Sequence, residues 1–158
     1  MHCKEVITVE NITKEARPFR IEQVGIVVKN REEAIRKFSS LWGIGPFRLW
    51  DVDLPEGIVR GRKTYCKAKL AFAQAGPIEI ELIEPGEGET TWSEFLRDKG
   101  EGVHHVAMWV NDMDKVLESY SKDGVGVLQF GDDEATRFAY MDTEMTAGVI
   151  FELLQHKY

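Results

Sequence analysis

Two pairs of segments match each other across about half the length of this chain. "QVGIVV" (23–28) falls on "HVAMWV" (105–110), and "IEIELIEP" (78–85) falls on "VIFELLQH" (149–156). A repeat with so long a period is an internal duplication, not a solenoid of short units. Each copy must therefore build the same supersecondary unit. With 158 residues available, the two units share one core of ordinary size.

Within each copy the same order of elements recurs. After a polar leader (1–20), in which "VITVENI" is a candidate short strand, residues 21–28 read as a strand rich in Val and Ile. A helix follows, with Asn30 as its cap, Glu33 completing a capping box and Gly43 as its stop. Ile35, Phe38 and Trp42 fall at helical spacing and are expected to face the core. Residues 47–54, 64–74 and 77–85 read as three strands parted by Gly and Pro turns. A connector (86–102) carries a short helix expected to be capped by Thr91, with Glu94 three positions on. The second copy then runs strand 103–110, helix 111–124, and strands 125–131, 136–142 and 148–155. The predicted class is α+β, with two βαβββ modules over about 21–85 and 103–155 in a single domain, 21–155.

Strand alternation sorts the polar residues. Val24, Ile26 and Val28 share a face expected to pack on a helix, leaving Gln23, Gly25 and Val27 on the other. By the same rule His105, Ala107 and Trp109 face away from the helix, while His104 points with Val106 toward it, as a core-side or connector-contacting histidine. Ile78, Ile80 and Leu82 pack, as do Val149, Phe151 and Leu153, which leaves Glu79, Glu81 and Glu152 opposite them. The duplication places Gln23 opposite His105 and Glu81 opposite Glu152. Carboxylates among apolar strand residues are costly to bury unless something positive meets them. A divalent cation held by Gln23, Glu81, His105 and Glu152 would offset both charges, and it makes His105 the working member of the histidine pair. The plainer alternative leaves these groups as polar strand-end residues satisfied by backbone. An imidazole, two carboxylates and an amide oxygen without thiolate suit Zn, Ni, Co, Mn or Mg.

These segments resemble the vicinal oxygen chelate superfamily, which includes glyoxalase I, methylmalonyl-CoA epimerase, extradiol dioxygenases and the bleomycin and fosfomycin resistance proteins. "QVGIVVKNREEAIRKFSSLWGI" is similar to that family's first-module opening. "IEIELIEP", "SEFLRDKGEGVHHVAMWVNDM" and "GVIFELLQ" are most similar to the epimerase branch. The resemblance implies a cupped, barrel-like mixed sheet with helices on its outer face. It also implies one metal held by two ligands from each module, at Gln23, Glu81, His105 and Glu152. Epimerases usually carry histidine where this chain has Gln23, whereas animal glyoxalase I is similar in using glutamine, glutamate, histidine and glutamate. The further glutamate base of the epimerases falls near Tyr65 here, with Glu56 the nearest carboxylate only across an insertion.

The resemblance implies a metal-dependent isomerase or lyase acting on a proton next to a carbonyl, with Glu152 or Glu81 as the catalytic base. A methylmalonyl-CoA epimerase-like thioester reaction comes first. A glyoxalase I-like lactoylglutathione lyase and a non-enzymatic, resistance-type binding protein are the alternatives. Trp109, Tyr65 and Tyr140 are candidate pocket residues, with Phe138 beside them, although aromatic strand residues also serve simple packing. Arg60, Arg62, Lys63, Lys67 and Lys69 form a basic stretch, read as a solvated strand face or a contact for anionic substrate groups. The formal net charge of −7 argues against nucleic acid or an anionic membrane surface as partner. The charged N-terminus lacks an apolar signal region, and Cys3 and Cys66 make no disulfide framework, so a cytoplasmic domain is expected. A homodimer is possible, because in this superfamily modules pair within one chain or between two.

Overall fold

A computed structural model of the chain describes residues 20–158. The leader and its "VITVENI" segment lie outside the described residues, Arg20 excepted. The first module comprises β1 (Gln23–Val27), α1 (Arg31–Trp42), β2 (Arg48–Val59), β3 (Arg62–Ala75) and β4 (Ile78–Pro85). After α2 (Thr91–Lys99), the second comprises β5 (Gly102–Trp109), α3 (Met113–Lys122), β6 (Val127–Asp132), β7 (Thr136–Met141) and β8 (Ile150–His156). The strands close into a barrel in the order β1-β4-β3-β2-β6-β7-β8-β5. β1 pairs parallel with β4, and β5 pairs parallel with β8, so the duplication seen in the sequence recurs in the pairing. The modules join within this one chain, through the antiparallel pairs β1–β5 and β2–β6.

The alternating pattern places its apolar sets as expected except at Val149, which precedes β8 and is exposed. Ile26, Val28, Ile80 and Leu82 pack under Ala34, Ile35 and Phe38 of α1. Met108, Phe151 and Leu153 pack with Met113, Val116 and Leu117 of α3. Between them, Val27, Ala107, Ile150 and Leu154 face the barrel interior. The connector helix differs in position from α1 and α3. Trp92, Phe95 and Leu96 of α2 pack into the interior cluster.

Four local expectations are corrected. Trp42 ends α1 at 74% exposure instead of joining Ile35 and Phe38, in the last helical position before the Gly43 cap (φ 66°). Asn30 does cap α1 by accepting from the Glu33 N–H, but the Glu33 carboxylate pairs with Lys37 at 2.6 Å. The α2 capping box is Thr90 with Ser93, one residue before the expected pair. Thr91 instead turns its hydroxyl inward to donate to Gln129 Oε1 at 2.9 Å. β2 and β3 run longer than read and meet at a two-residue turn, Arg60–Gly61, both at positive φ (48° and 76°) as tight hairpins favour. Pro55 fits inside β2 because the ladder jumps from Leu54 to Gly57. Pro55 and Glu56 together face the single residue Tyr65, so one extra residue bulges out there, and the missing Pro N–H costs no ladder bond.

Candidate metal centre and cavity

The candidate ligands come together through two adjacent rows of side chains on the interior face. Across the sheet, Glu81 of β4, Gly25 of β1 and His105 of β5 lie side by side. Two residues along, Gln23 is beside Ala107, which is beside Glu152, which is beside Tyr140. Gly25 and Ala107, the small residues between the polar ones, make the room. A Cβ on Gly25 would stand 1.9 Å from His105 Cε1, so the imidazole lies directly over the β1 backbone.

Glu81, His105 and Glu152 are buried, and His105 Nε2 stands 3.3 Å from Glu81 Oε2 and 3.0 Å from Glu152 Oε2. None of these three atoms has a hydrogen bond of acceptable geometry, although all three are shielded from solvent. Orphaned buried polar atoms are rare and mark a missing partner. Ligand atoms of the three residues lie within 4.8 Å of one another, as one small cation requires. The residues therefore fit a divalent metal. Gln23 is equally buried and donates its amide N–H to Glu79 Oε1 at 3.1 Å, which leaves its amide oxygen for a cation.

Without a metal, a proton must serve. Burial works against a charged His105, but the Glu152 and Glu81 carboxylates outweigh it and raise its pKa from 6.5 to about 9. Burial raises the Glu81 carboxyl as well. A group raised on folding contributes stability that is complete below its unfolded pKa and is lost as pH rises through the folded one. The chelator-treated protein is therefore expected to lose about 3 kcal/mol from His105 as pH rises from 6.5 to 9. That corresponds to a fall in Tm of roughly 6–12 °C. Thermal melts across this range check it. A flat profile would show that the imidazole is not charged by its neighbours.

His104 is buried but takes no place among the ligand atoms. The ladder pairs Gly25 with His105 and Ile26 with Val103, so His104 is the extra residue of a bulge. The bulge overrides alternation, and the two rings meet with Nδ1 atoms 3.0 Å apart. His104 does not lie with Val106 against an outer helix. Its ring packs edge-on to Phe95 of the connector helix and to Tyr140. Burial, reinforced by the charge on His105, lowers its pKa to about 2, so it stays neutral.

Above the trio opens a cavity of about 300 Å³. Trp109 and Tyr140 line it, and Phe138 joins them. Tyr65 does not: Cys66, Ala68 and Leu70 take the interior face of β3, so Tyr65 points outward and donates to Asp53 at 2.8 Å. Glu56 also lies outside, in an ion pair with Lys63. The basic stretch is a solvated outer face, with Arg60, Lys67 and Lys69 paired to Glu94, Asp53 and Glu84. Sequence reasoning missed Gly25, Arg48, Trp50, Phe72 and Trp92. The Trp92 indole donates to the Tyr140 hydroxyl at 2.9 Å. That leaves the Tyr140 proton for Glu152, and burial with the nearby carboxylates pushes its pKa well above the ordinary value. Gly25 had a readable signal: it aligns with Ala107, a small residue at the same place in both modules.

A duplicated βαβββ barrel with a carboxylate–imidazole cluster beneath an interior cavity is the build of a small-molecule protein of glyoxalase type. The chain belongs to the glyoxalase/bleomycin resistance protein/dioxygenase superfamily, whose family model matches residues 22–140. It is 28% identical over 141 residues to the uncharacterized protein YqjC of Bacillus subtilis, covering 87% of this chain and 93% of that one. A hypothetical protein of Bacillus halodurans is similar in structure, with a TM-score of 0.67 and 23% identity over 90% of this chain and 97% of that one. So is a methylmalonyl-CoA epimerase of Streptomyces coelicolor in complex with 2-nitronate-propionyl-CoA, with a TM-score of 0.69 and 22% identity over 87% and 94%. At these identities the structures share the fold. Among the described residues, no helix is long and apolar enough to cross a membrane.

Proposed function

We propose that the protein is a metal-dependent isomerase or lyase that moves a proton on carbon next to a carbonyl. The observation that carries this reading is the convergence of three orphaned buried atoms, on Glu81, His105 and Glu152, at the base of a cavity. Those residues, with the Gln23 amide oxygen, would hold the ion. When bound, a divalent ion supplies Lewis-acid polarisation of a carbonyl oxygen. The protein residues do the rest. Glu152 takes the proton, with Tyr140 beside it across the β7–β8 ladder and held by the Trp92 indole. Glu81 arrives from the other side of the β1–β5 pair and is the second candidate base. The buried side chains of Trp92, Phe138 and Tyr140 shield the ligand atoms from water, which strengthens every charge interaction there.

An epimerase-like proton movement on a thioester is the first reading, and the fold shared with methylmalonyl-CoA epimerases supports it. Two observations favour a glyoxalase I-like lyase as the second. Gln23 stands where epimerases usually carry histidine, and Glu56 lies outside the barrel. On either reading residues 21–155 act as one cytoplasmic domain on a small carbonyl or thioester substrate. Solvent deuterium wash-in tests the reaction class. Metal-loaded protein is expected to exchange the proton next to the carbonyl of a thioester or hemithioacetal, and Glu152→Gln to lose about 100-fold or more of that rate. Exchange retained in Glu152→Gln and lost in Glu81→Gln would move the base to Glu81. No exchange with any carbonyl compound by metal-loaded protein would leave the binding-protein reading.

A further inference from the structure

The walls above the metal centre select the group that accompanies the reacting carbonyl. They carry six aromatic side chains, Trp50, Phe72, Trp92, Trp109, Phe138 and Tyr140. Four carboxylates, Glu79, Glu81, Asp133 and Glu152, line the same space against a single guanidinium, Arg48. Even a divalent ion leaves that wall with a net negative charge. Arg48 already faces a carboxylate: Nη2 stands 3.3 Å from Glu79 Oε2, and the guanidinium sits over the Phe72 ring at 5.4 Å, so an incoming anion must share it with Glu79. At the rim, Trp109 is held flat against His156, ring centroids 3.8 Å apart and planes 13° from parallel. Trp50 and Trp109 remain 52% and 38% exposed there, so their apolar faces reach solvent.

Resting on the reaction class above, we propose that the substrate carries an uncharged aromatic ring beside the reacting carbonyl, and that the cavity rejects a carboxylate at that place. The space suffices. An apolar cavity of ~150 Å³ holds a benzene ring, and this one, at about 300 Å³, has room left for the carbonyl unit over the metal ligands. Flat aromatic walls reward a flat ligand, since ring pairs contribute beyond area burial. An anion there would give up hydration against a wall of net negative charge whose guanidinium it must share with Glu79. A malonyl-type acyl group, with its second carboxylate, meets that penalty. A phenylacetyl-type group does not.

Fluorescence titration of zinc-loaded protein tests this, because Trp50, Trp92 and Trp109 line the cavity. The probes are the N-acetylcysteamine thioesters of phenylacetic and methylmalonic acids. The phenylacetyl compound is expected to bind about tenfold tighter or more. Trp109→Ala should erase most of that preference. Glu79→Gln, which removes the carboxylate facing Arg48 but keeps an amide oxygen to accept from Gln23, should tighten the methylmalonyl compound several-fold at saturating zinc, an effect that misfolding cannot produce. Equal or tighter methylmalonyl binding by the wild type overturns the proposal. Deuterium wash-in on the same samples separates the two ideas. Phenylacetyl binding without exchange of that or any other carbonyl compound upholds the cavity assignment and overturns the reaction class, whereas methylmalonyl exchange without phenylacetyl binding does the reverse.

Discussion

His105→Ala is expected to abolish tight metal binding, lowering affinity by well over about 100-fold, while His104→Ala costs about 10- to 100-fold at most. The two residues are neighbours in sequence, equally buried and in ring contact, so composition and burial do not distinguish them. What distinguishes them is the atom each presents. His105 Nε2 stands among the Glu81 and Glu152 oxygens, whereas His104 reaches only the far side of the His105 ring, through Nδ1. Removing the first deletes the only nitrogen among the candidate ligands of the described residues and leaves two buried carboxylates facing each other. Removing the second loosens the ring that the ligand belongs to. A hydrogen bond to the non-ligating nitrogen sets tautomer and orientation, and losing it has the smaller effect. Equilibrium dialysis with zinc, on variants whose folding is confirmed by circular dichroism, measures both. Equal losses would mean that the rings act as one unit and that the assignment to His105 is wrong.

Gly25→Ala is expected to destroy the centre without touching any ligand. The added methyl would lie 1.9 Å from His105 Cε1 and 2.3 Å from Nε2, far inside contact distance. The backbone beneath cannot retreat, because β1 is hydrogen-bonded to β4 on one side and β5 on the other. The imidazole must therefore leave its position, and with it the convergence on Glu81 and Glu152. Overpacking of this kind costs about 1–3 kcal/mol or more, and metal affinity should fall as far as in His105→Ala. Gly126→Ala is the matched control. Nothing lies within 4 Å of its would-be Cβ, and its stability should change by less than about 0.5 kcal/mol. Metal binding by Gly25→Ala at wild-type strength would show that His105 is not the ligand.

The Gly25 case shows how far the sequence reached. Glycine and alanine at equivalent places in the two modules were visible in the alignment, but their purpose depends on which strand lies alongside. Residues 25 and 105 are 80 positions apart, and only the β1–β5 pairing makes them neighbours. Similarly, Arg48 and Trp50 share a strand face in the sequence, yet only barrel closure turns that face toward the ligands.

By itself the sequence determined the duplication, the two βαβββ units and the interior placement of Glu81, His105 and Glu152. Each of these follows from a local periodicity that burial of one apolar face enforces along a whole strand. Alternation failed at the bulges. The extra residue at His104 set it beside His105, and the bulge at Pro55–Glu56 restored the interior face to Gly57 and Val59. Tyr65 went outside because the apolar face of its strand belongs to Cys66, Ala68 and Leu70. The tertiary structure also decided that the modules pair within one chain, that α2 sends Trp92 inward to Tyr140, and that Glu79 faces Arg48. The physical reason is common to all of these. A strand's pattern records which face is buried, but a bulge, a partner strand or a paired charge depends on atoms supplied by distant parts of the chain.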